Sequence, residues 1–188
     1  MIDEAHVLDE LFGVTNVPSG VWIDETGTIV RPPEPAFPLK RGMEKILRTL
    51  PEGLDPYLVD VLLEARKIKH EPEKYVTALK DWAVKGGDSK YALSPREVTT
   101  RSGTRSMDVA TAAAHFELGQ HLHRAGDPDA AVAHFREAHR LQPGNWTYKR
   151  QAWSFANPLQ GPSEHYDTDF LSEVRQIGAE NYYPALDM

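Results

Sequence analysis

Histidine is the residue type in this sequence best suited to chemistry, because imidazoles bind metals and transfer protons near neutral pH. The chain has eight histidines, and most of them lie within residues 115–139. A zinc-protease helix needs two histidines four residues apart, with a glutamate beside the first. His134 and His139 are instead separated by about 140° around a helix, so they are poorly placed to share an ion. We therefore predict no metal site.

Cysteine, the nucleophile of thiol redox enzymes, is absent from the sequence. Without a thiol, the side chains of this chain cannot exchange disulfides or form cysteine-ligated zinc sites. Ser19 and Ser154 lie in no nucleophile motif, and the sequence contains no phosphate-binding loop or dinucleotide fingerprint. We predict no catalytic residue and no cofactor for this chain alone.

Charge and hydropathy narrow the class of protein further. The net charge is −7 and 40% of the residues are hydrophobic, which disfavours a general nucleic-acid binder and fits a globular protein. No apolar run approaches the roughly 20 residues of a membrane-spanning helix, and the first residues lack the basic and apolar regions of a signal peptide. We expect a soluble, cytoplasmic protein that binds neither nucleic acid nor membranes.

The first elements that the pattern predicts are a short helix and a β-hairpin. Apolar residues at helical spacing run to Phe12, and Gly13 stands where a helix ends. Two β-branched and aromatic runs flank a turn, which predicts a hairpin over residues 20–31. A polyproline II connector is predicted next, followed by a helix over residues 40–50. The prolines of this connector are Pro32, Pro33, Pro35 and Pro38.

The middle of the chain combines two helices with a long connection. The pairs Asp55-Pro56 and Glu71-Pro72 are helix start signals, so we predict helices over residues 56–69 and 72–85 that form an antiparallel hairpin. Residues 88–106 show no apolar period and are predicted to be a solvated flexible loop. Basic residues outnumber acidic ones there, so a local site for an acidic partner is the alternative.

The last third of the chain is helical again. Helices are predicted over residues 108–125, 129–141 and 146–156, and a short amphipathic stretch lies near residues 170–177. The first two helices carry small and large residues in a regular order. These residues are Leu118, Gly119, Ala131, Phe135, Ala138 and Pro143.

This order resembles the tetratricopeptide repeat, a pair of antiparallel helices, over residues 112–145. Gly119 and Ala131 would allow the two helices to approach closely, with Phe135 filling the space beside them. Two positions depart from the repeat, since His115 stands where tryptophan is usual and Leu122 where tyrosine is usual. One repeat cannot bury its own faces, so we expect the helix over residues 146–156 to cap it.

The resemblance also implies where a ligand would bind. Peptide ligands of this family sit in a concave groove lined by the first helix of the repeat. By repeat position the groove residues are Phe116, Gln120, His123 and Arg124. The lysine and asparagine clamp that some repeats use for C-terminal carboxylates is not matched. We therefore expect a protein or peptide partner.

A second segment, residues 11–30, contains the strings LFGVTNVPS, VWID and GTIV in that order. It resembles the second half of a thioredoxin fold, closest to redoxins and thiol-disulfide oxidoreductases of the cytochrome-maturation kind. The resemblance implies that Pro18 is the cis-proline of the family and that Val17 and Pro18 bind substrate. The family's catalytic helix and Cys-x-x-Cys motif would lie upstream of Met1. We hypothesise that a selenocysteine codon read as a stop has removed that half.

The fold class is thus mostly α with a small β-hairpin. A truncated thioredoxin-like βα element is followed by helical hairpins, including one repeat of the tetratricopeptide type. The expected domains are a thioredoxin-like remnant over residues 1–50, a helical hairpin and long loop over residues 51–106, and the repeat with its capping helix and irregular tail over residues 107–188.

Two function classes follow from this organisation. The first is a non-enzymatic interaction module, which the absence of thiols favours for the chain as given. The alternative is the C-terminal part of a redoxin-family thiol-disulfide oxidoreductase or peroxidase whose reactive cysteine or selenocysteine lies upstream of Met1. The unpaired sheet edge and the single repeat also predict self-association into a homo-oligomer.

Overall fold

The computed structural model describes residue 3, residues 6–37, residue 50 and residues 52–188. The predicted helix over residues 40–50 therefore lies outside the described residues, apart from Leu50, and so does Pro38. Within the described residues the strands are β1 (Ser19–Ile23) and β2 (Ile29–Pro35). The helices are α1 (Val7–Phe12), α2 (Pro56–Ala65), α3 (Pro72–Lys85), α4 (Pro95–Ser102), α5 (Met107–Arg124), α6 (Pro128–Leu141), α7 (Trp146–Ala156) and α8 (Phe170–Ile177), with 3-10 turns at Gly86–Asp88 and Ala179–Asn181.

Helices dominate this fold, and the predicted class of a mostly α chain with a small antiparallel hairpin is confirmed. Contacts divide the chain into two compact units. One consists of Met1–Val17 with Ser102–Phe170, and the other of Pro18–Arg101 with Leu171–Met188. The three-part domain division expected from the sequence stays a prediction.

The first unit is organised by the antiparallel helices α5 and α6. Each begins at a side-chain cap, since Ser106 accepts a hydrogen bond from the Val109 amide and Asp127 accepts one from the Ala130 amide. Such caps satisfy amide groups that have no partner inside the helix. Gly119 faces Phe135, and a Cβ on Gly119 would lie 2.7 Å from the Phe135 ring. The glycine therefore permits the close approach that the sequence pattern predicted.

The predicted capping helix is also present, as α7. Asn145 is buried and caps α7 by accepting a hydrogen bond of 3.1 Å from the Tyr148 amide. Apolar and aromatic side chains of α7 are buried within the same unit. They include Trp146, Tyr148, Ala152 and Trp153.

The hairpin in the second unit corrects one prediction. Residues 32–35 were predicted as a polyproline II connector, but they continue strand β2 to Pro35. The register pairs Gly20 with Glu34 and Trp22 with Arg31. Pro32 and Pro33 thus lie opposite the single residue Val21, in a β-bulge where the ladder is interrupted. Proline has no amide proton to donate to the ladder. It is tolerated at the bulge because no ladder hydrogen bond is required there.

The prediction of a flexible loop over residues 88–106 is wrong for its second half, which contains α4. The helix begins with a capping box. The Ser94 hydroxyl accepts a hydrogen bond from the Glu97 amide at 3.3 Å, and the Glu97 carboxylate accepts one from the Ser94 amide at 2.8 Å. None of the residues of α4 is buried, which explains why the segment shows no apolar period. The preceding helix α2 is shorter than predicted, and α3 matches its prediction.

The core of the second unit surrounds Trp22 on strand β1. Its ring stacks on that of Trp82 with 4.9 Å between centroids, and its indole N–H donates a hydrogen bond to the Tyr75 hydroxyl. Arg31 is 1% exposed and forms a bidentate ion pair with Glu34. In the part of the chain that the structure describes, none of the helices has both the length and the apolar character needed to span a bilayer.

Candidate functional site

The predicted groove residues of α5 fall into a buried pair and a more accessible pair. Phe116 and Gln120 are each 2% exposed. The Tyr148 ring of α7 stacks on Phe116 with 4.0 Å between centroids, and the Phe135 ring of α6 lies at a tilt with its centroid 5.6 Å from that of Phe116. These two residues are therefore covered by the chain itself in this structure.

His123 and Arg124 lie at the C-terminal end of α5, where the surface is accessible. The His123 imidazole is half-buried and stacks on Phe155 of α7 with 3.8 Å between ring centroids. Arg124 is exposed. The stacked pair and the neighbouring cation make up what we call the α5 end surface, defined by His123, Arg124 and Phe155.

The other half of the α5 face is covered by residues 6–15, which we call the N-terminal segment. The His6 ring meets Phe116 edge-on with 5.3 Å between centroids, and its Nε2 lies 3.3 Å from the Gln151 side-chain oxygen. The Thr15 carbonyl accepts hydrogen bonds from the Trp146 and Thr147 amides at 2.7 and 3.3 Å. These amides are the first of α7 and would otherwise lack a partner.

Charged groups surround this covered half of the face. Glu10 of the N-terminal segment forms an ion pair with Arg105, just before α5. A hydrogen bond of 2.7 Å from His6 to Asp9 raises the pKa of the His6 imidazole, against the opposing effect of burial. Burial is the main cause that raises the pKa of the Tyr148 hydroxyl to about 12, and the negative charge of Glu10 is a smaller one. This hydroxyl is therefore neutral at physiological pH.

Two further histidines form a direct contact between α5 and α6. The Nδ1 atoms of His115 and His134 lie 2.8 Å apart. In such a contact one Nδ1 carries a hydrogen and donates a hydrogen bond, and the other Nδ1 accepts it through its lone pair. The structure thus brings together two residues that were not predicted to be in contact. Across the described ranges, no group of three or more histidine, aspartate and glutamate side chains is arranged to hold a metal ion.

His139, on α6, lies apart from that contact and packs against Trp153 of α7. Its ring centroid is 6.1 Å from that of Trp153 and 5.6 Å from that of Tyr166. Burial, assisted by the positive charge of Lys149, lowers the pKa of the imidazole to about 4. His139 is therefore neutral at physiological pH and behaves as a packing residue.

Val17 and Pro18, the pair implied by the redoxin resemblance, are both exposed. The Pro18 carbonyl accepts a hydrogen bond of 3.1 Å from the Ala36 amide, which extends the β1–β2 ladder by one pair. Contacts assign Val17 to the first unit and Pro18 to the second. Their role in binding a substrate strand stays a prediction.

A cleft of about 770 Å³ lies within the second unit, and no sequence pattern predicted it. Phe37 contacts both His70 and Tyr183, with 5.1 Å between ring centroids in each pair. The cleft is of the size of small-ligand sites. Its walls come from the end of β2, the connection between α2 and α3, and the C-terminal residues. These three segments are far apart in the sequence, so a local pattern does not reveal the cleft.

Comparison with known proteins supports one of the two resemblances. Residues 112–145 match the family model of the tetratricopeptide repeat, over the same range that the sequence pattern indicated. Repeats of this type generally mediate protein–protein interactions. No curated protein and no solved structure matches the chain.

Proposed function

We propose that this chain is a protein-interaction module that binds a protein or peptide partner on the face of α5 and α7. The observation that carries the proposal is the α5–α6 pair, which matches the tetratricopeptide repeat and is capped by α7. The chain itself performs no catalysis in this proposal, because it has no thiol and because His123 and His139 pack against aromatic rings of α7.

The α5 end surface supplies the chemistry for such binding. Aromatic rings and arginines are the side chains that contribute most at interfaces, since they combine a large contact area with hydrogen bonding. The His123–Phe155 stack fixes two rings before a partner arrives, which reduces the entropy lost on binding. Arg124 adds an exposed cation beside them. This combination fits a partner segment that carries a carboxylate next to an apolar or aromatic residue.

Affinity capture with matched variants tests this proposal. Wild-type chain, Arg124→Glu and the control Arg140→Glu are immobilised, and proteins retained from an extract of the native cells are compared by mass spectrometry. Arg140 is an exposed arginine of α6 that pairs with Glu137 on its own helix, so its reversal changes the net charge by the same amount as Arg124→Glu. We expect a partner that wild type and Arg140→Glu retain and that Arg124→Glu loses. Retention by all three proteins, or by none, would contradict the proposal.

The second candidate function is the redoxin-family alternative, with Val17 and Pro18 beside a reactive residue encoded upstream. The order of α1, Pro18 and the β1–β2 hairpin supports it, because this order is that of the second half of a thioredoxin fold. Sequencing the same reading frame upstream of Met1 tests it. A Cys-x-x-Cys motif, or one with selenocysteine, would support it, and unrelated non-coding sequence would remove it.

Self-association is part of the proposal as well. In the described residues, β1 and β2 form a two-stranded sheet, and unpaired strand edges favour pairing with another chain. Light scattering that detects a dimer at high protein concentration would support this prediction, and a monomer at every concentration would count against it.

A further inference from the structure

The N-terminal segment covers the α5 face with the kinds of contact that a bound peptide makes. Its backbone satisfies the first amides of α7 through the Thr15 carbonyl. Its His6 ring lies against the Phe116 ring, and its Glu10 carboxylate pairs with Arg105. Ring contacts, main-chain hydrogen bonds and a peripheral ion pair are typical of peptide recognition in a groove.

The same segment has few of the contacts expected of a core element. None of the residues of α1 is buried, and Val7, Leu8 and Leu11 are 50%, 40% and 69% exposed. A helix of this length is not stable alone in water. The segment is therefore held mainly by its polar and ring contacts to the remainder of the first unit, and such contacts are readily exchanged.

The charged side chains around the N-terminal segment indicate which kind of peptide the covered half of the α5 face accepts. The Glu10 carboxylate of the segment pairs with Arg105, and the adjacent Asp9 carboxylate pairs with the His6 ring of the segment itself. Gln151 supplies a neutral side-chain oxygen to the His6 ring. The complementary ligand is a short acidic peptide that forms one or two helical turns and places a ring against Phe116.

We propose that Phe116, Gln151, Arg105 and the first turn of α7 form a binding site for an acidic helical peptide, and that the N-terminal segment occupies this site in cis. A partner peptide of the same chemistry binds by displacing the segment. This inference rests on the proposed interaction function and names its partner class and its regulation.

The test uses a fluorescent synthetic peptide with the sequence of residues 3–17 and the full chain, with binding followed by anisotropy. In wild type the cis segment competes, so the apparent affinity is reduced by the fraction of molecules whose site is free. The variant Glu10→Lys places a lysine beside Arg105 and weakens the cis contact without altering the site. We expect Glu10→Lys to bind the peptide about fivefold more tightly than wild type does.

A charge exchange controls for nonspecific binding. The chain variant Arg105→Glu also weakens the cis contact, but its site now carries a negative charge. It is expected to bind the peptide carrying Glu10→Lys in preference to the native peptide, whereas the chain variant Glu10→Lys shows the opposite preference. Circular dichroism serves to check that each chain variant retains its helical content.

Failure of either chain variant to bind any peptide at the highest attainable concentration would overturn the proposal. So would equal affinity of wild type and Glu10→Lys for the native peptide, because the segment would then not compete for the site. The capture experiment with Arg124→Glu is independent of these measurements. If that capture succeeds while the peptide fails to bind, the interaction function stands and only the cis occupancy is removed.

Discussion

Gly119 determines how closely the two helices of the repeat approach each other. The position faces the Phe135 ring of α6, which is 1% exposed. A glycine inside a helix lowers helical stability by up to about 1 kcal/mol relative to alanine. Its presence here is explained by packing, since any side chain would collide with the ring.

The variant Gly119→Ala is accordingly expected to be destabilised. The added Cβ would lie 2.7 and 2.8 Å from two carbons of the Phe135 ring, and we expect the resulting overpacking to exceed the gain in helix propensity. We predict a loss of about 1–2 kcal/mol in the free energy of unfolding, measured by urea denaturation. Gly144→Ala is the control, because a Cβ there meets nothing within 4 Å. An unchanged midpoint for Gly119→Ala would contradict this packing.

His139 makes the stability of the first unit depend on pH. Its pKa of about 4 in the folded chain lies below the ordinary value of 6.5, so folding favours the neutral ring. The stabilisation of the folded state by the neutral His139 ring is fully present above pH 6.5 and is lost as the pH falls toward 4. This loss lowers the free energy of unfolding by about 3 kcal/mol. The wild-type free energy of unfolding should therefore fall more steeply between about pH 7 and pH 4.5 than that of His139→Leu.

A matched histidine controls this pH measurement. His121 is exposed on α5, so His121→Gln should retain the steep wild-type dependence on pH. Identical pH profiles for wild type and His139→Leu would show that the buried imidazole does not titrate as described.

The sequence predicted a binding face on α5 but gave no indication of what covers it. Repeat position correctly placed Phe116 and Gln120 on the same helix as His123 and Arg124. It gave no indication that Tyr148 and His6 would lie over Phe116, because those contacts join residues far apart in the chain. The role of all four residues in binding a peptide stays a prediction.

At the scale of elements, Arg31 connects three parts of the second unit. Its guanidinium pairs with Glu34 on β2 and donates hydrogen bonds of 2.7 Å to the carbonyls of Tyr91 and Asp187. The Trp22 ring lies 5.5 Å from the guanidinium carbon. The hairpin, the connection after α3 and the C-terminal residues thus share one buried cation.

Arg31→Lys tests this connection, because a lysine retains the charge but cannot reproduce the planar fork of contacts. With Arg31 only 1% exposed, we expect a loss of about 2–3 kcal/mol in the free energy of unfolding. Faster proteolysis of the C-terminal residues should accompany it. Arg101→Lys is the control, since Arg101 also pairs with Asp187 but does so in a solvent-exposed position. Equal stability of both variants would contradict the account.

Local sequence signals predicted most elements, and apart from the shorter α2 the differences have clear physical causes. The proline-rich residues 32–35 continue β2 because a bulge in a two-stranded sheet accommodates residues without amide protons. Helix α4 has no apolar period because it buries none of its residues, so its sequence lacks the main signal of a helix. The capping box formed by Ser94 and Glu97 was visible in the sequence and would have identified it.

At the scale of the whole molecule, the absence of thiols makes a clear prediction about activity. The purified chain should show no turnover in insulin-reduction or peroxide-consumption assays, because disulfide exchange requires a thiolate that this chain lacks. A chain with the upstream residues restored, if these encode a reactive cysteine or selenocysteine, serves as the positive control. Measurable turnover by the pure chain would refute the interaction module as its sole function.

The organisation of the molecule into two units was less accessible from sequence than its elements were. Each unit combines segments from separate parts of the chain, and a linear reading of composition yields only consecutive segments. The repeat itself was predictable, because its helices pack through local pairs such as Gly119 with Phe135. The N-terminal segment was not assigned to that unit, because its docking depends on contacts that no periodicity encodes.

The interaction function is tested most directly by a photo-crosslinking amino acid placed at position 124 and, in a second protein, at position 140. Each protein is irradiated in the native cells, and the attached peptides are identified by mass spectrometry. A binding face at the α5 end surface predicts that one partner segment is attached at position 124 and not at position 140. Attachment at position 140 alone, equal attachment at both positions, or none at position 124 would contradict it.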